Sequence, residues 1–233
     1  AEPEHIIKYL DNLLSQKKRF LGKRILITAG PTQEAIDPVR YISNHSSGKM
    51  GYALAETLAE EGAEVSLISG PSQLISTHLN IKLIKVKSAL EMLEQCKSLF
   101  FSTQIAIFSA AVADYRAKEI ATQKIKKKDE AFTIDMVKNP DIAIEFAKVK
   151  SEDQISIGFA LETNNEEANA LQKLKNKSFD FVVLNSTQTE NATFGFDTNK
   201  ITILKKSGEK IDFELKTKSE VAKDIVNVLS DFI

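Results

Sequence analysis

Two polar stretches of the sequence contain the residues that could hold an anionic ligand. In the first, residues 29–48, Asn44 lies just before the triplet Ser46–Gly48, and an apolar-periodic segment follows. A helix that begins at this triplet would offer hydroxyls, N–H groups and the positive end of its dipole to an anion, unless Ser47 serves only as an ordinary N-cap. Asn44 can donate to one oxygen and accept from a donor at once, which suits a carboxyl group, but a turn residue is an equal alternative.

The second polar stretch is dominated by positive charge. Six basic residues and a single acid lie between Arg116 and Lys128. A solvated surface explains most charge runs of this kind. Lys124 is the exception, because we expect residues 124–126 to pair with residues 132–137 as a hairpin that places Lys124 beside the site. A lysine there would provide a positive point charge to a phosphate group during its transfer.

Positions further along the chain could complete a phosphate-binding site. Asp114 lies where a predicted strand ends, so its carboxylate could hold Mg²⁺ or a sugar hydroxyl, or simply form a turn. Asn139 and Pro140 begin a predicted helix, with Pro140 in its first position, and that N-terminus is a second place for an anion. Lys173 and Lys177 lie four residues apart on another predicted helix, where they could point jointly at a polyphosphate or form a solvated face.

These residues lie in and around a repeating strand–helix pattern. Short apolar runs alternate with amphipathic segments, which indicates an α/β fold with a doubly wound, mostly parallel Rossmann-like sheet and a protruding hairpin arm. Both polar stretches directly follow predicted strands, so we expect them to meet at the carboxyl ends of those strands, where such sheets bind ligands. The predicted strands are residues 23–28, 64–69, 81–86, 105–112, 155–161, 181–185, 201–204 and 211–215, and the predicted helices are 48–61, 88–100, 140–148, 166–177 and one from residue 219 onward.

Motif spacing and composition narrow the function classes. The dinucleotide fingerprint G-x-G-x-x-G and the P-loop both fail on spacing, because Gly30 is followed by no other glycine before Gly48. With 31 Lys+Arg against 32 Asp+Glu, the net charge of −1 gives no support for nucleic-acid binding. The one cysteine excludes a disulfide framework, the three histidines lack metal-ligand spacing, and no apolar run is long enough to span a membrane. We therefore expect a cytoplasmic protein with no nucleic-acid or membrane partner.

Six sequence blocks, taken in order, resemble a known family. The blocks are Ile27–Thr32 (ITAGPT), Asp37–Gly51 (DPVRYISNHSSGKMG), Ala110–Arg116 (AAVADYR), Lys124–Lys127 (KIKK), Met136–Asp141 (MVKNPD) and Gly158–Asn164 (GFALETN). Together they resemble the phosphopantothenate–cysteine ligase family in its bacterial, CTP-using form. The resemblance covers residues 22–233. The opening Ala1–His5 (AEPEH) also resembles the join that follows the FMN-containing decarboxylase half of the bifunctional bacterial enzyme. This predicts that residues 1–21 are a connector and that the chain is the ligase half of a longer polypeptide.

The resemblance implies a ligase of coenzyme A biosynthesis with three substrates. The carboxylate of 4′-phosphopantothenate would attack the α-phosphate of CTP, giving an acyl-cytidylate and pyrophosphate with Mg²⁺. The amine of L-cysteine would then displace CMP and form the amide. The resemblance further implies a metal held mainly by the triphosphate, with Asp114 as a possible ligand. It also implies a homodimer in which the arm around Lys127–Glu130 reaches across to the partner subunit.

The resemblance also assigns roles to individual residues. Asn44 would hold the acyl-cytidylate, Lys124 would be the catalytic lysine, and Arg40 and Ala111 would line the phosphopantothenate site. The implied nucleotide contacts are Ser109, Ala110, Asp114, Lys124, Pro140, Asp141, Ile142, Ala143, Phe159, Lys173 and Lys177.

Departures from the family pattern are few, and two other functions compete. Ser186 follows Asn185 where the family commonly has Asp, and Leu161 replaces a usual Ala beside the nucleotide pocket. An NAD(P)-dependent Rossmann oxidoreductase is the first alternative, and the missing fingerprints oppose it. A nucleotide-binding module that does not turn CTP over is the second, and the joint presence of Asn44 and Lys124 opposes it.

Overall fold

The structure of the chain is a computed structural model that describes residues 2, 3, 7, 18–126, 132–186 and 196–233. Its strands are β1 (Arg24–Ala29), β2 (Gln33–Ala35), β3 (Tyr41–Ser43), β4 (Glu64–Ser69), β5 (Ile81–Lys85), β6 (Ile105–Phe108), β7 (Tyr115–Ala117), β8 (Met136–Lys138), β9 (Ile155–Glu162), β10 (Phe181–Ser186), β11 (Thr198–Asn199), β12 (Ile201–Lys205), β13 (Lys210–Asp212) and β14 (Lys216–Thr217). Its helices are α1 (Lys49–Glu60), α2 (Ala89–Leu99), α3 (Ile142–Ala147), α4 (Glu166–Asn176) and α5 (Lys218–Ser230), with a 3-10 turn over Phe100–Ser102.

Eight of these strands form the central sheet, in the order β5-β4-β1-β6-β9-β10-β12-β13. The first six run parallel, and β12 and β13 extend one edge with antiparallel pairings. From β1 the chain moves outward to β4 and β5, and it then returns to the other side of β1 to continue through β6, β9 and β10. The predicted doubly wound, mostly parallel fold is thus confirmed, and its strand order reverses between β1 and β6. The crevice at the carboxyl ends of those two strands is where such sheets bind ligands.

Apolar layers on both faces of the sheet explain the continuous apolar runs of the central strands. Helices α1 and α5 cover the face that holds Ile25 and Ile27, and helices α2 and α3 cover the face that holds Leu26. A strand buried on both faces needs apolar side chains at successive positions. Cys96 of α2 is fully buried in the second layer, and burial raises the pKa of its thiol to about 12, as in an unreactive core cysteine.

The predicted hairpin between residues 124–126 and 132–137 is wrong. Strand β8 pairs antiparallel with β7, and residues 124–126 form no strand. The segment is held from the loop before β3 instead, because the Ile125 N–H donates to Asp37 Oδ2 at 3.1 Å. A side-chain carboxylate thus takes the place of a strand partner, and the argument from strand alternation no longer applies. The tip of the predicted arm, residues 127–130, lies outside the described residues.

Strand β6 is shorter than predicted, because the chain leaves the sheet after Phe108 and not at residue 112. Beyond that point Ala111 pairs with the loop that follows β1. The Ala111 N–H donates to Gly30 O at 2.9 Å, and the Thr32 N–H donates to Ala111 O at 3.3 Å. The apolar run therefore combines a strand with a short segment of small residues that borders the crevice.

Two helices begin differently from the prediction. Helix α1 has Gly48 as its N-cap at φ +81°, with no side-chain cap, so the interpretation of Ser47 as an ordinary N-cap is wrong. Helix α3 has Asp141 as its N-cap, whose carboxylate accepts from two N–H groups of the first turn. Pro140 therefore precedes the helix and does not occupy its first position.

The start of the described chain packs against the domain. Phe20 is fully buried in the core, and Arg19 pairs with Glu61 at 2.6 Å. The predicted boundary between a connector and the domain at residue 22 stays a prediction, since most of residues 1–17 lie outside the described residues. In the described part of the chain, no helix combines the length and the apolar character needed to cross a membrane.

We expect the substitution Gly158→Ala to destabilise the fold. A Cβ at this position of β9 would lie 2.1 Å from Phe179 Cε2, so the ring of Phe179 would have to move. Overpacking of this kind costs about 1–3 kcal/mol of unfolding free energy, which urea denaturation would measure. Adding Phe179→Leu should recover part of the loss, and an unchanged midpoint for Gly158→Ala would contradict the packing argument. This close contact accounts for the glycine.

Candidate functional site

A cavity of about 470 Å³ opens at the carboxyl ends of β1 and β6, where the strand order reverses. Most of the residues that the sequence analysis proposed for the site line this cavity. These are Asn44, Ser109, Ala110, Ala111, Asp114, Pro140, Asp141, Ile142, Ala143, Phe159, Lys173 and Lys177. Arg40 and Lys124 are not among its lining residues.

Two threonine side chains, one in β1 and one in the loop that follows it, position the small residues on the cavity floor. The Ala110 N–H donates to Thr28 Oγ1 at 3.3 Å, and the Ala113 N–H donates to Thr32 Oγ1 at 3.0 Å. These bonds fix residues 109–113 beside β1 without a regular strand. Because alanine carries only a Cβ, this segment leaves the space above it to a ligand.

Asn44 is anchored to that floor through its amide nitrogen. Its Nδ2 donates to Ala111 O at 3.1 Å and to Val112 O at 3.2 Å, and two carbonyl neighbours require the NH₂ group on that side. Both hydrogens are therefore used within the chain. The contact of Asn44 with a carboxyl group stays a prediction. In this conformation Oδ1, an acceptor, is the amide atom that has no hydrogen-bond partner among the described residues.

The N-terminus of α1 forms one wall of the cavity. Gly48 adopts a left-handed conformation that favours glycine, and a Cβ there would lie 3.2 Å from Gly30 N. Gly51 brings the same helix against β1, since a Cβ there would lie 2.6 Å from Ala29 Cβ. The two glycines let the helix begin directly beside the crevice. The Lys49 N–H donates to Ser47 Oγ at 3.5 Å, whereas the next N–H groups of the helix, those of Met50 and Gly51, have no side-chain cap and are available, with the helix dipole, to an anion.

The two lysines predicted on α4 both reach the cavity, and each is paired with an acid. Lys173 Nζ lies 3.3 Å from Glu162 Oε1, and Lys177 Nζ lies 2.7 Å from Asp141 Oδ2. Asp141 also caps α3, so one carboxylate joins two walls of the cavity. The pairs hold the lysines in place but leave less net positive charge than the sequence alone suggested.

Three further lysines, Lys49, Lys138 and Lys218, line the cavity and were missed from the sequence. Lys49 pairs with the exposed Asp197, and Lys218 Nζ donates to Phe196 O at 2.6 Å. Burial, followed by the charge of Lys49, lowers the pKa of Lys218. Two ammonium groups this close favour an anion between them. Lys218 is brought to the cavity by pairing of β11 with β14, which has no local sequence signal.

An asparagine at the end of β10 is the other missed feature. Asn185 Oδ1 is buried and, among the described residues, it has no hydrogen-bond partner. The residue lines the cavity, as does Asn199, whose Nδ2 lies 3.8 Å from Met50 Sδ. Because buried polar atoms are normally paired, an unpaired one at a cavity wall indicates a ligand contact. The side chain of Ser186, one of the noted departures, lies outside what the structure describes.

Arg40 is held beside the cavity by a buried carboxylate. Asp37 Oδ2 lies 2.6 Å from Arg40 Nη2, and the carboxylate side chain is fully buried. Lys124 is exposed and adjoins Ile125, which binds the same carboxylate. The two predicted residues that miss the cavity are therefore neighbours of each other.

The Arg40 guanidinium, with the N–H groups of Val39, Ile125 and Arg40, holds the pKa of Asp37 well below its ordinary value. A carboxyl with a lowered folded-state pKa stabilises the fold above its unfolded pKa of about 4, and this stability is lost as the pH falls below that value. We therefore expect Asp37→Asn to reduce the loss of stability between about pH 4 and pH 2. Urea midpoints of both proteins across that range would measure it, and parallel pH profiles would contradict it.

The cavity contains few protein ligands for a metal ion. Within the described ranges, no three His, Cys, Asp or Glu side chains are grouped to hold a metal. Of the two carboxylates at the cavity wall, Asp141 is committed to Lys177 and to its helix cap, whereas Asp114 has no such bond to any described residue. This donor set fits Mg²⁺ that substrate phosphates hold, with Asp114 as the protein carboxylate that would approach it.

Fold and cavity together define a class of protein, a doubly wound α/β domain with its ligand site where the strand order reverses. Lysines and a helix N-terminus without a side-chain cap line this site. A family can be stated as well. Residues 20–232 match the family described as DNA/pantothenate metabolism flavoprotein C-terminal domain, and the chain belongs to that family.

Two relatives and one solved structure illustrate the similarity. The chain is 47% identical over 230 residues to a cysteine/cysteine sulfinic acid decarboxylase of an unknown prokaryotic organism, covering 97% of this chain and 64% of that protein. It is 45% identical over 227 residues to the coenzyme A biosynthesis bifunctional protein CoaBC of Haemophilus influenzae, covering 97% and 56%. The crystal structure of the C-terminal domain of a coenzyme A biosynthesis bifunctional protein CoaBC is 40% identical, with a TM-score of 0.78, covering 92% of this chain and 97% of that one. The chain thus spans less than two thirds of the length of either curated relative.

Proposed function

We propose that this domain ligates 4′-phosphopantothenate to L-cysteine in coenzyme A biosynthesis, with CTP as the activating nucleotide. The observation that carries the proposal is the convergence on one cavity of residues from five of the six blocks that resemble the ligase family. These blocks are separate in the sequence, and they meet where the strand order reverses. The identity with CoaBC proteins supports the same reaction.

The site suits a reaction that needs positioning and charge screening but no covalent nucleophile. A carboxylate does not accept an amine directly, so it first displaces pyrophosphate from the α-phosphate of CTP. The resulting acyl-cytidylate loses CMP when the cysteine amine attacks its carbonyl carbon. Lysines and helix N-termini stabilise the charge that develops in both steps, and a fixed cavity holds the reactants in line.

The proposed roles follow the resemblance and the geometry together. Asn44, anchored through Nδ2, contacts the acyl-cytidylate with Oδ1, and Ala111 borders the phosphopantothenate site. The nucleotide occupies the wall that runs from Ser109 to Asp114, across α3 and Phe159 to α4. Lys173 and Lys177 face its phosphates, and Mg²⁺ enters with the triphosphate.

We also propose a homodimer that completes each site. Arg40 and Lys124 lie outside the cavity of their own chain, and the segments around them in the fold carry exposed apolar side chains, one of which, Phe132, contacts Arg40. These are Val39, Tyr41, Tyr115, Ile120 and Phe132, each more than half exposed. A second copy that covers this surface would exclude water from it and would bring Arg40 and Lys124 toward a cavity of the pair. The proposed reach of Lys127–Glu130 across the dimer falls outside the described residues.

A preceding decarboxylase half that carries FMN stays part of the proposal for the longer polypeptide. Both curated relatives extend well beyond the matched region, and one of them is named as a decarboxylase. No residue of the cavity is assigned to FMN.

The test is a reconstituted reaction. The chain is incubated with 4′-phosphopantothenate, L-cysteine, CTP and Mg²⁺, and pyrophosphate and CMP are measured with and without cysteine. Cysteine-dependent CMP release supports the ligase. CTP binding with no turnover would favour the nucleotide-binding module. CMP release that does not depend on cysteine would contradict the ligase, because it would show only hydrolysis of CTP. Hydride transfer with NADH or NADPH would favour the oxidoreductase.

A further inference from the structure

A buried carboxylate outside the cavity joins the two proposed site residues that the cavity does not contain. Asp37 lies in the loop between β2 and β3, and its side chain is fully buried. Its two oxygens have different partners. Oδ1 accepts from the backbone N–H groups of Val39 and Arg40, both at 2.9 Å, and so shapes its own loop.

The second oxygen binds groups beyond that loop. Oδ2 accepts from Arg40 Nε at 3.0 Å and Nη2 at 2.6 Å, and from the Ile125 N–H at 3.1 Å. Arg40 Nη2 also donates to Ile125 O at 3.3 Å. Both backbone groups of Ile125 are therefore bound by the Asp37–Arg40 pair, and Lys124 is the residue next to it.

Little else holds this segment in place. Apart from the bonds of Ile125, residues 121–126 are hydrogen-bonded to other described residues through the Ala121 N–H, which donates to Ile36 O at 3.0 Å. Arg40 is in turn covered by the Phe132 ring, whose centroid lies 5.6 Å from the guanidinium carbon. Removing the charge of Asp37 would leave Arg40 without its partner and the Lys124 segment without its main attachment.

We propose that Asp37 is a positioning residue for the ligation: its Oδ2 orients Arg40 and latches the segment that carries Lys124. This inference rests on the proposed function for its catalytic consequence, whereas the latch itself is a property of the chain. Asp37 touches no reactant in this arrangement. It acts through Arg40 and Lys124, which lie far apart in the sequence.

The substitution Asp37→Asn should keep the hydrogen bonds that Oδ1 accepts and lose those that Oδ2 accepts. The asparagine Oδ1 can still accept from Val39 and Arg40, but its NH₂ group would face the Arg40 guanidinium and the Ile125 N–H, which are all donors. We expect the turnover number to fall about 100-fold, as for a misplaced reacting group. In a Lys124→Gln background the same substitution should leave the turnover number unchanged while still raising KM for phosphopantothenate through Arg40. Additive losses in turnover, or no loss at all, would overturn the proposal.

The matched control is Glu61→Gln. Glu61 forms an equivalent paired contact with Arg19 at 2.6 Å, remote from the cavity, and its substitution should leave turnover and KM unchanged. Ile125→Pro provides a second variant that removes the latching N–H and restricts the backbone of Lys124 and residue 125, while it leaves the Asp37–Arg40 pair intact. We expect it to lower turnover with KM for phosphopantothenate unchanged, and normal turnover would count against the latch.

Hydrogen exchange distinguishes a failed latch from a failed function. Exchange of residues 118–126 should accelerate in Asp37→Asn and not in Glu61→Gln, whether or not the chain has ligase activity. Unchanged exchange of this segment would overturn the latch. If exchange accelerates in a chain that shows no cysteine-dependent CMP release, the latch stands and the ligase proposal fails.

Discussion

Replacing Lys124 with glutamine should lower the turnover number for amide formation about 100- to 1,000-fold, because the charge that screens the transferring phosphate is lost. Lys124 is exposed and makes no hydrogen bond to another described residue, so the unfolding free energy should change by no more than about 0.5 kcal/mol. The measurement is cysteine-dependent CMP release under saturating substrates, together with a urea denaturation curve for each protein.

Lys126→Gln is the matched control for this prediction. Lys126 lies two residues further along the same segment, is equally exposed and loses the same charge. If only local charge mattered, both variants would slow the reaction alike. We expect Lys126→Gln to retain the unmodified rate, and a near-normal turnover for Lys124→Gln would remove Lys124 from the chemistry.

Asn44→Asp should impair the same reaction by about 100-fold or more. The structure makes this substitution more severe than the sequence suggested. A carboxylate oxygen would replace the Nδ2 that now donates to the carbonyls of Ala111 and Val112, so two hydrogen bonds become two repulsive contacts. The negative charge would also face the carboxylate of phosphopantothenate. Steady-state kinetics with each substrate varied in turn would show a loss in turnover and a raised KM for phosphopantothenate.

Asn44→Ala separates the two causes. It removes both hydrogen bonds but adds no charge, so its loss of activity should be clearly smaller than that of Asn44→Asp. Equal losses would mean that the anchoring of the side chain, and not electrostatic repulsion, dominates. Normal kinetics in both variants would mean that Asn44 is only a turn residue, as one interpretation of the sequence held.

The sequence predicted the sheet well where one local signal sufficed. Strand β4 begins and ends at the predicted residues, 64 and 69, because an apolar run is followed directly by Gly70 and Pro71. Helix α1 was placed within one residue at each end by its apolar spacing and by its flanking glycines. Periodicity of this kind depends on neighbours a few positions apart, so it can be recognised in a single chain.

Predictions failed where a backbone group had a choice of partners. Residues 124–126 have the composition of a short strand, but Ile125 binds Asp37, which lies 88 positions away. The apolar run continues beyond the end of β6 to Val112, but Ala111 in its last part pairs with the loop after β1 and not with a strand of the sheet. Lys218 and Asn185 were missed for a related reason, since a lysine that starts a helix and an asparagine that ends a strand look like ordinary surface residues.

The sequence by itself determined the fold class, and most of the site residues that it proposed line the cavity, since strand ends in a doubly wound sheet converge by topology and the motif blocks follow those ends. Only the tertiary structure decided how these residues are used. It showed that the amide nitrogen of Asn44 is already bonded within the chain, that Lys173 and Lys177 are already paired, and that Arg40 and the N–H of Ile125, next to Lys124, share the buried Asp37. The physical reason is that the pattern of buried and exposed residues depends on positions close together in the sequence. The partner of a hydrogen-bonding group, in contrast, depends on which distant groups the packed core brings within about 3 Å of it.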